Sequence, residues 1–361
     1  MATKTELWVA RDELRRTKVV KSEQQPLEDG QIRVVIDKMG LTANNVSYAV
    51  SGEAIGYWKY FPATGEWGKV PGWAMADVVE SRSDAIAEGE RLYGFFPMAS
   101  EVILKPGHVA DDFFIDASEH RAELPSLYNQ YRRTKGEPEI LQKLEDERCL
   151  LFPLFVTSFV LYDYLIDNDF FGAQQIIIGS VSSKTGFGLA HLLKNDPNLA
   201  QKIVGLTSSG NVPFVESLNC CDQIVTYGSE DAIDASLPAA WIDMSGDGPL
   251  TGKLHHLIGE NMVESCIVGA THWEAERKRD KDLPGAKPKF FFAPGHIAKR
   301  DAEWGHGEIW RRGSEAGVAI ARSISDQIAA EAISGSDDVA KIWCDMLDNR
   351  VSPSRGIMIS L

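Results

Sequence analysis

The chain has 361 residues, 44% of them hydrophobic and 25% charged, which is enough apolar material for sizeable cores, too much for a disordered chain, and long enough to favour two domains. Its formal net charge of -15 repels a nucleic-acid backbone and an anionic membrane surface alike, so neither is an expected partner. The five cysteines, Cys149, Cys220, Cys221, Cys266 and Cys344, form no CxxC and no His/Cys cluster at zinc spacing, and read as thiols of a reducing, cytoplasmic compartment.

The opening stretch MATKTELWVARDELRR is charged and has no apolar run, so no secretory signal is expected. Residues 30–41 alternate around a β-branched centre, residues 71–81 follow a Pro-Gly turn, and residues 89–106 supply further strands, together predicting a compact β-rich unit. Residues 124–149 carry charges of both signs and read as a helical connector with a solvated face. The run LLFPLFVTSFVLYDYLI, residues 150–166, is broken by Pro153 and Asp163 and is shorter than the roughly 20 apolar residues a bilayer needs, so it predicts a buried helix.

From Phe152 onward strands alternate with helices. The strands are predicted at 175–179, 202–207, 223–227, 240–244 and 265–269, with helices at 188–194, 212–218 and 252–257. Short apolar strands separated by helices imply a doubly wound parallel sheet. His255 and His256 fall on the last of these helices and read as a solvated face. Beyond Gly285 the segment KPKFFFAPGHIAKR, with Lys287, Lys289, His296, Lys299 and Arg300, reads as a strand edge followed by a solvated basic turn, or as an anion-binding rim. An amphipathic pattern over 313–332 and a terminal strand GIMISL close the chain.

The stretch QQIIIGSVSSKTGFGLAHLL, residues 174–193, predicts a strand, a tight loop and a helix. Unpaired amides and the positive end of the helix dipole suit a diphosphate there. The glycines of a GxGxxG fingerprint are reduced to Gly179, Gly186 and Gly188, while Ser180, Ser182, Ser183 and Thr185 keep the approach open and Lys184 adds a cation. The loop therefore reads either as a phosphate cradle or as a plain turn. At the end of the next strand stands GLTSSGN, without the carboxylate that usually meets a free ribose 2′-hydroxyl. Ser208, Ser209 and Asn211 suit a 2′-phosphate instead, which favours NADP(H) over NAD(H), or they cap the helix starting near Val212.

In this order of elements the chain resembles the medium-chain dehydrogenase/reductase superfamily, and within it the zinc-independent quinone and enoyl reductases. The likeness runs through LEDGQIRVVIDKMGLTANNVSYAVSG, VPGWAMADVVESRSDAIAEGERLYGF, LFPLFVTSFVLYDYL, the loop itself, IVTYGSEDAI, AAWIDMSGDGPL and SCIVGATHW, and leaves residues 124–149 and 272–313 without a counterpart, as in a divergent branch. The resemblance implies a GroES-like β-rich catalytic domain over 1–150, a Rossmann-like NADP(H)-binding domain over 151–298, a segment 299–361 returning to the catalytic domain, and a cleft between the two domains. It implies that Ser180, Ser182, Ser183, Lys184, Thr185, Gly186 and Gly188 hold the pyrophosphate, Ser208, Ser209 and Tyr227 the adenosine phosphate, and Ser245, Gly246, Ala270 and Thr271 the ribose and nicotinamide. A homodimer is the family's usual assembly.

The turn GLTANN carries no cysteine where zinc-using relatives place one, and the eight histidines are scattered, so no metal is expected. Hydride addition to a conjugated carbonyl leaves an enolate, which needs a donor over the oxygen. Tyr57 is the candidate, with Asn45 and Tyr48 as supports, or else the aromatic residues from Tyr57 to Trp67 are a loop core. With Trp73, Phe95 and Phe96 that cluster suits a hydrophobic or aromatic small-molecule carbonyl substrate. The leading expectation is an NADPH-dependent, zinc-independent reductase of a carbonyl-conjugated double bond or ketone. The alternatives are a cofactor-independent carbon-carbon lyase or hydrolase of a ketonic substrate, and a nucleotide-sensing protein with an inactive cleft.

Overall fold

The computed structural model describes residues 3–269, 282–291 and 293–361. It falls into two units, Met1–Leu150 with Ala330–Leu361, and Leu151–Ala329.

In chain order the first unit holds β1 (Thr3–Ala10), β2 (Thr17–Glu23), β3 (Ile32–Leu41), α1 (Ala43–Val50), α2 (Gly52–Ile55), β4 (Trp67–Gly68), β5 (Pro71–Ser81), β6 (Arg91–Pro97), β7 (Glu101–Leu104), β8 (Pro106–Gly107), β9 (Phe113–Asp116), β10 (Gln130–Arg133), α3 (Glu139–Lys143) and α4 (Glu145–Leu150). The second holds α5 (Phe152–Asp167), β11 (Gln175–Gly179), α6 (Lys184–Asn195), β12 (Lys202–Thr207), α7 (Val212–Leu218), β13 (Gln223–Thr226), β14 (Ala239–Asp243), α8 (Gly248–Ile258), β15 (Met262–Ile267), β16 (Lys289–Phe290), α9 (Ala293–Trp304) and α10 (Glu308–Ser323). The chain then returns to the first unit as β17 (Ala329–Ser334), α11 (Ser336–Leu347) and β18 (Arg355–Ser360).

The first unit is β-rich. One sheet has the order β2-β1-β4; the larger runs β17-β18-β3-β5-β6-β10-β9-β8, with β7 also on β3. The terminal strand pairs antiparallel with β3, Met358 opposite Gly40, so it completes this sheet and leaves the parallel one alone. Residues 124–149 are helical from Glu139 onward, in α3 and α4, but before that they hold a strand. β10 inserts between β6 and β9 with Tyr131 fully buried, its hydroxyl donating to Phe95 O at 2.9 Å. Two of its arginines are paired inside the unit: Arg148 with Glu137 at 2.6 Å, Arg133 with Glu90 at 2.7 Å.

The second unit is the doubly wound domain. Its sheet, β13-β12-β11-β14-β15-β16, is parallel throughout, and the order reverses between β11 and β14. Its strands are hydrophobic end to end because both faces are covered, with Ile177, Val204, Leu206, Trp241 and Leu254 in one core. α5 is the expected buried helix and packs with α10 through Val156, Val160 and Ile309. No described helix is long and apolar enough to cross a membrane.

Two further expectations about this unit change. His255 is fully buried, its ring bonded to Pro284 O and Ser265 Oγ at 2.9 Å each, and only His256 is exposed. The basic turn after β16 is instead α9, and the i, i+4 spacing of His296 and Arg300 turns both onto Asp163 of α5, at 2.5 and 2.6 Å. Lys289 pairs with Glu264 and Lys299 with Asp167, so these cations are matched by carboxylates and do not form an anion rim. The amphipathic run over 313–332 covers the end of α10 and the start of β17.

Candidate functional site

The loop of residues 180–183 leaves β11 at the point where strand order reverses, the place where open parallel sheets bind ligands. Its conformation follows from what its small side chains do. Ser180 takes a positive φ of 51°, and its amide donates to the Tyr227 hydroxyl at 2.9 Å. Burial pushes the Tyr227 phenol up to about 12. Val181 is fully buried and its amide donates to Leu206 O of β12, pinning the loop to the sheet. Ser182 is buried as well, its Oγ accepting from Thr207 Oγ1 at 3.1 Å and Asn211 Nδ2 at 3.2 Å. Ser183 is the N-cap of α6 and its Oγ accepts from Gly186 N at 3.2 Å.

The glycines serve close packing. A Cβ on Gly186 would stand 2.7 Å from Ser180 O, and one on Gly188 would stand 2.6 Å from Ser158 Oγ and 2.8 Å from Phe155. The first turn of α6 is half-buried. Among the described residues the amides of Lys184 and Thr185 have no acceptor, and the Lys184 ammonium has no counter-ion. The Lys184 residue keeps partial exposure, yet desolvation of its ammonium lowers it to about 8.

The remaining nucleotide candidates of this unit lie at neighbouring strand ends. Ser208 and Ser209 are exposed just past β12. Ser245 is fully buried past β14, and its amide, its hydroxyl and the Gly246 amide all donate to Asp243 Oδ1, at 2.8, 2.6 and 2.9 Å. Thr251 donates to the other oxygen of Asp243 at 3.3 Å. Burial raises the Asp243 carboxyl and these donors work against the rise. The buried Asp243 was no sequence candidate, since its role depends on donors at three later positions. Ala270 and Thr271 lie outside the described residues.

In the first unit the three catalytic candidates sit on or beside α1. Thr42 and Asn45 form the capping box of that helix: Asn45 Oδ1 accepts from Thr42 N at 2.8 Å, while its amide donates to Pro71 O at 2.9 Å. Asn45 is thus buried and fully bonded, tying α1 to β5. The Tyr48 and Tyr57 rings pack tilted with centroids 4.6 Å apart, and the Tyr57 hydroxyl meets that of Tyr128 at 3.1 Å. Tyr128 was missed, since nothing in sequence ties residue 128 to residue 57. Its ring lies 4.7 Å from that of Phe95. Trp73 lies 5.5 Å from Phe95, whereas Phe96, next along β6, points to the other face and packs on Tyr131. Among the described residues no group of three or more His, Cys, Asp or Glu side chains is placed to hold a metal ion.

The first unit is thus GroES-like and β-rich, and the second is Rossmann-like, with its loop at the switch point of the parallel sheet. Solved structures agree over the whole chain: the yhdH oxidoreductase from Salmonella enterica in complex with NADP (14% identity, TM-score 0.53, 99% of each chain), CurA from Vibrio vulnificus in complex with NADPH (10%, 0.61, 99% of each) and a mutant enoyl thioester reductase from Candida tropicalis (10%, 0.56, 100% of each). Residues 39–352 match the family described as "Protein of unknown function (DUF2855)", and the chain belongs to that family. No curated protein matches the chain.

Proposed function

We propose that this protein is an NADP(H)-dependent, zinc-independent reductase of a carbonyl-conjugated double bond or ketone on a hydrophobic small molecule. The observation that carries the reading is the first turn of α6, where two amides without acceptors and a lysine without a counter-ion meet at the switch point of the sheet. That donor set suits a diphosphate. Solved proteins of this fold include complexes with NADP and NADPH, which supports the choice of cofactor.

In this reading Lys184 and Thr185 bind the diphosphate, with the loop from Ser180 to Gly188 shaping the approach. Ser182 and Ser183 hold the loop in place, since their hydroxyls are bonded inside the unit. Ser208 and Ser209, exposed where an NAD site would carry a carboxylate, bind the 2′-phosphate, with Tyr227 ordering the loop below through Ser180. Ser245 and Gly246, fixed by Asp243, serve the ribose and nicotinamide. When bound, the dinucleotide supplies a hydride. Tyr57 donates to the substrate oxygen, with Tyr48 beside it and Asn45 holding α1.

The test is titration of the purified protein with NADPH, followed by cofactor fluorescence. Saturable binding with oxidation of NADPH in the presence of an enone is expected; no binding at millimolar NADPH overturns the proposal. A second reading is a nucleotide-sensing protein with an inactive cleft. Binding without turnover across a panel of enones and ketones would favour it.

A further inference from the structure

Gly205, within β12, has no side chain, and two neighbours fill the space it leaves. A Cβ there would stand 2.7 Å from Val181 Cγ1 of the loop after β11 and 2.7 Å from Cys221 Sγ. Val181 is fully buried, held to β12 by its amide and over Gly205 by its side chain. One wall of that packing is therefore a sulfur atom.

Cys221 is half-buried and follows the buried Cys220, and both thiols are free. Their sulfurs lie 4.0 Å apart, in an S–H···S hydrogen bond. That bond eases ionisation of Cys220 and opposes that of Cys221, which sets a nucleophilic sulfur beside a protonated one. The next residue is fixed to the same strand: Asp222 N donates to Ile203 O at 2.9 Å, and Asp222 Oδ2 accepts from Ile203 N at 2.8 Å. Lys194 of α6 pairs with Asp222 as well. With the backbone pinned there, a change at the sulfurs is passed to their neighbours.

We propose that Cys220 and Cys221 are a modification site for small hydroperoxides, and that their oxidation to a disulfide loosens the loop between β11 and α6. In the net step the O–O bond of the peroxide and two S–H bonds give way to one S–S bond, an alcohol and water, with hydrogen peroxide giving two waters. The sulfurs are oxidised and the peroxide oxygens reduced. A disulfide holds its sulfurs about 2.0 Å apart, so the pair closes and Cys221 Sγ is drawn off Gly205. Gly205 has no atoms to refill the gap, and Val181 loses that wall. Adjacent residues keep their Cα atoms about 3.8 Å apart, below the roughly 4.4 Å at which unstrained disulfides begin, so the bond is readily reduced again. The effect on cofactor affinity rests on the proposed nucleotide site; the loosening of the loop does not.

The test treats the purified full chain with hydrogen peroxide and follows three readouts. Peptide mass spectrometry should find the peptide holding both cysteines lighter by two hydrogens and closed to alkylation. Hydrogen exchange over residues 180–186 should speed up, and NADPH affinity should fall about tenfold, both returning with dithiothreitol. Cys221→Ser should respond to peroxide in neither exchange nor affinity, while Cys344→Ser, in the other unit, should respond as the wild type does. Thiols that pass to sulfinic acid without a disulfide, a disulfide that leaves loop exchange unchanged, or a peroxide response that persists in Cys221→Ser would overturn the proposal. Faster loop exchange in a protein that binds no NADPH in either state would sustain the dithiol site and remove the reductase.

Discussion

At Lys184, burial and charge pull in opposite directions. Desolvation brings the ammonium down to about 8 from 10.5, so between those values the unfolded chain holds more protons than the folded one, and stability rises with pH across that window. A Lys184→Met variant should lose that rise and, without ligand, melt higher than the wild type at pH 7; melting curves at pH 7 and 10 check both. Bound diphosphate reverses the balance, because it favours the charged form. NADPH affinity should therefore fall as pH rises past about 8, and Lys184→Glu should weaken NADPH more than NADH if the lysine also senses the 2′-phosphate; equal loss would confine it to the diphosphate. Asp243 is the opposite case, a buried carboxylate with four donors around it. Replacing it by Ala leaves those donors unmatched and should lower stability by about 2–4 kcal/mol in urea unfolding, since each lost bond to a charge is worth about 1.5–3 kcal/mol and the turn partly relaxes.

At the scale of elements, α6 joins the site to the core. Gly188 lies against Ser158 and Phe155 of α5, so a methyl there must push two helices apart. Gly188→Ala should cost about 1–3 kcal/mol, measured by chemical denaturation, and should weaken NADPH in step by displacing the turn that carries Lys184. Periodicity alone starts this helix at residue 188, four residues late, because Gly186 looks like a breaker until its packing partner is known. β11, β12 and α7 were legible to the residue, since each is a run of apolar residues between clear stops. α1 was not, its cap being Thr42 with Asn45 in place of the usual Glu or Gln, and β10 was hidden because Tyr131 is the one apolar residue among its four. In the site, residue types near the phosphate loop were legible, but the inward turn of Ser182 depends on Thr207 and Asn211, and the Tyr57–Tyr128 pair on strands that bring together residues 71 apart.

At the scale of the whole molecule, the chain leaves its first unit at Leu150 and returns at Ala330, so that unit is completed only by the last part of the sequence. β18 lies between β17 and β3, and α11 is fixed to the N-terminal strands: Trp343 is fully buried and its indole donates to Leu14 O at 2.8 Å, while Asp348 pairs with Arg15 at 2.8 Å. A chain ending at Ala329 would expose the β3 edge that β18 covers and the apolar surface beneath Trp343. It should leave the first unit open to protease while the second, whose parallel sheet and α5–α10 packing lie wholly within Leu151–Ala329, resists. Limited proteolysis read by mass spectrometry distinguishes the two, and equal resistance of both units would show that the C-terminal strands are dispensable. Trp343→Ala isolates the packing part of this effect. It should cost about 3–5 kcal/mol, the range for emptying a large aromatic site, with early cleavage confined to the first unit and NADPH binding by the second retained at temperatures below the first transition.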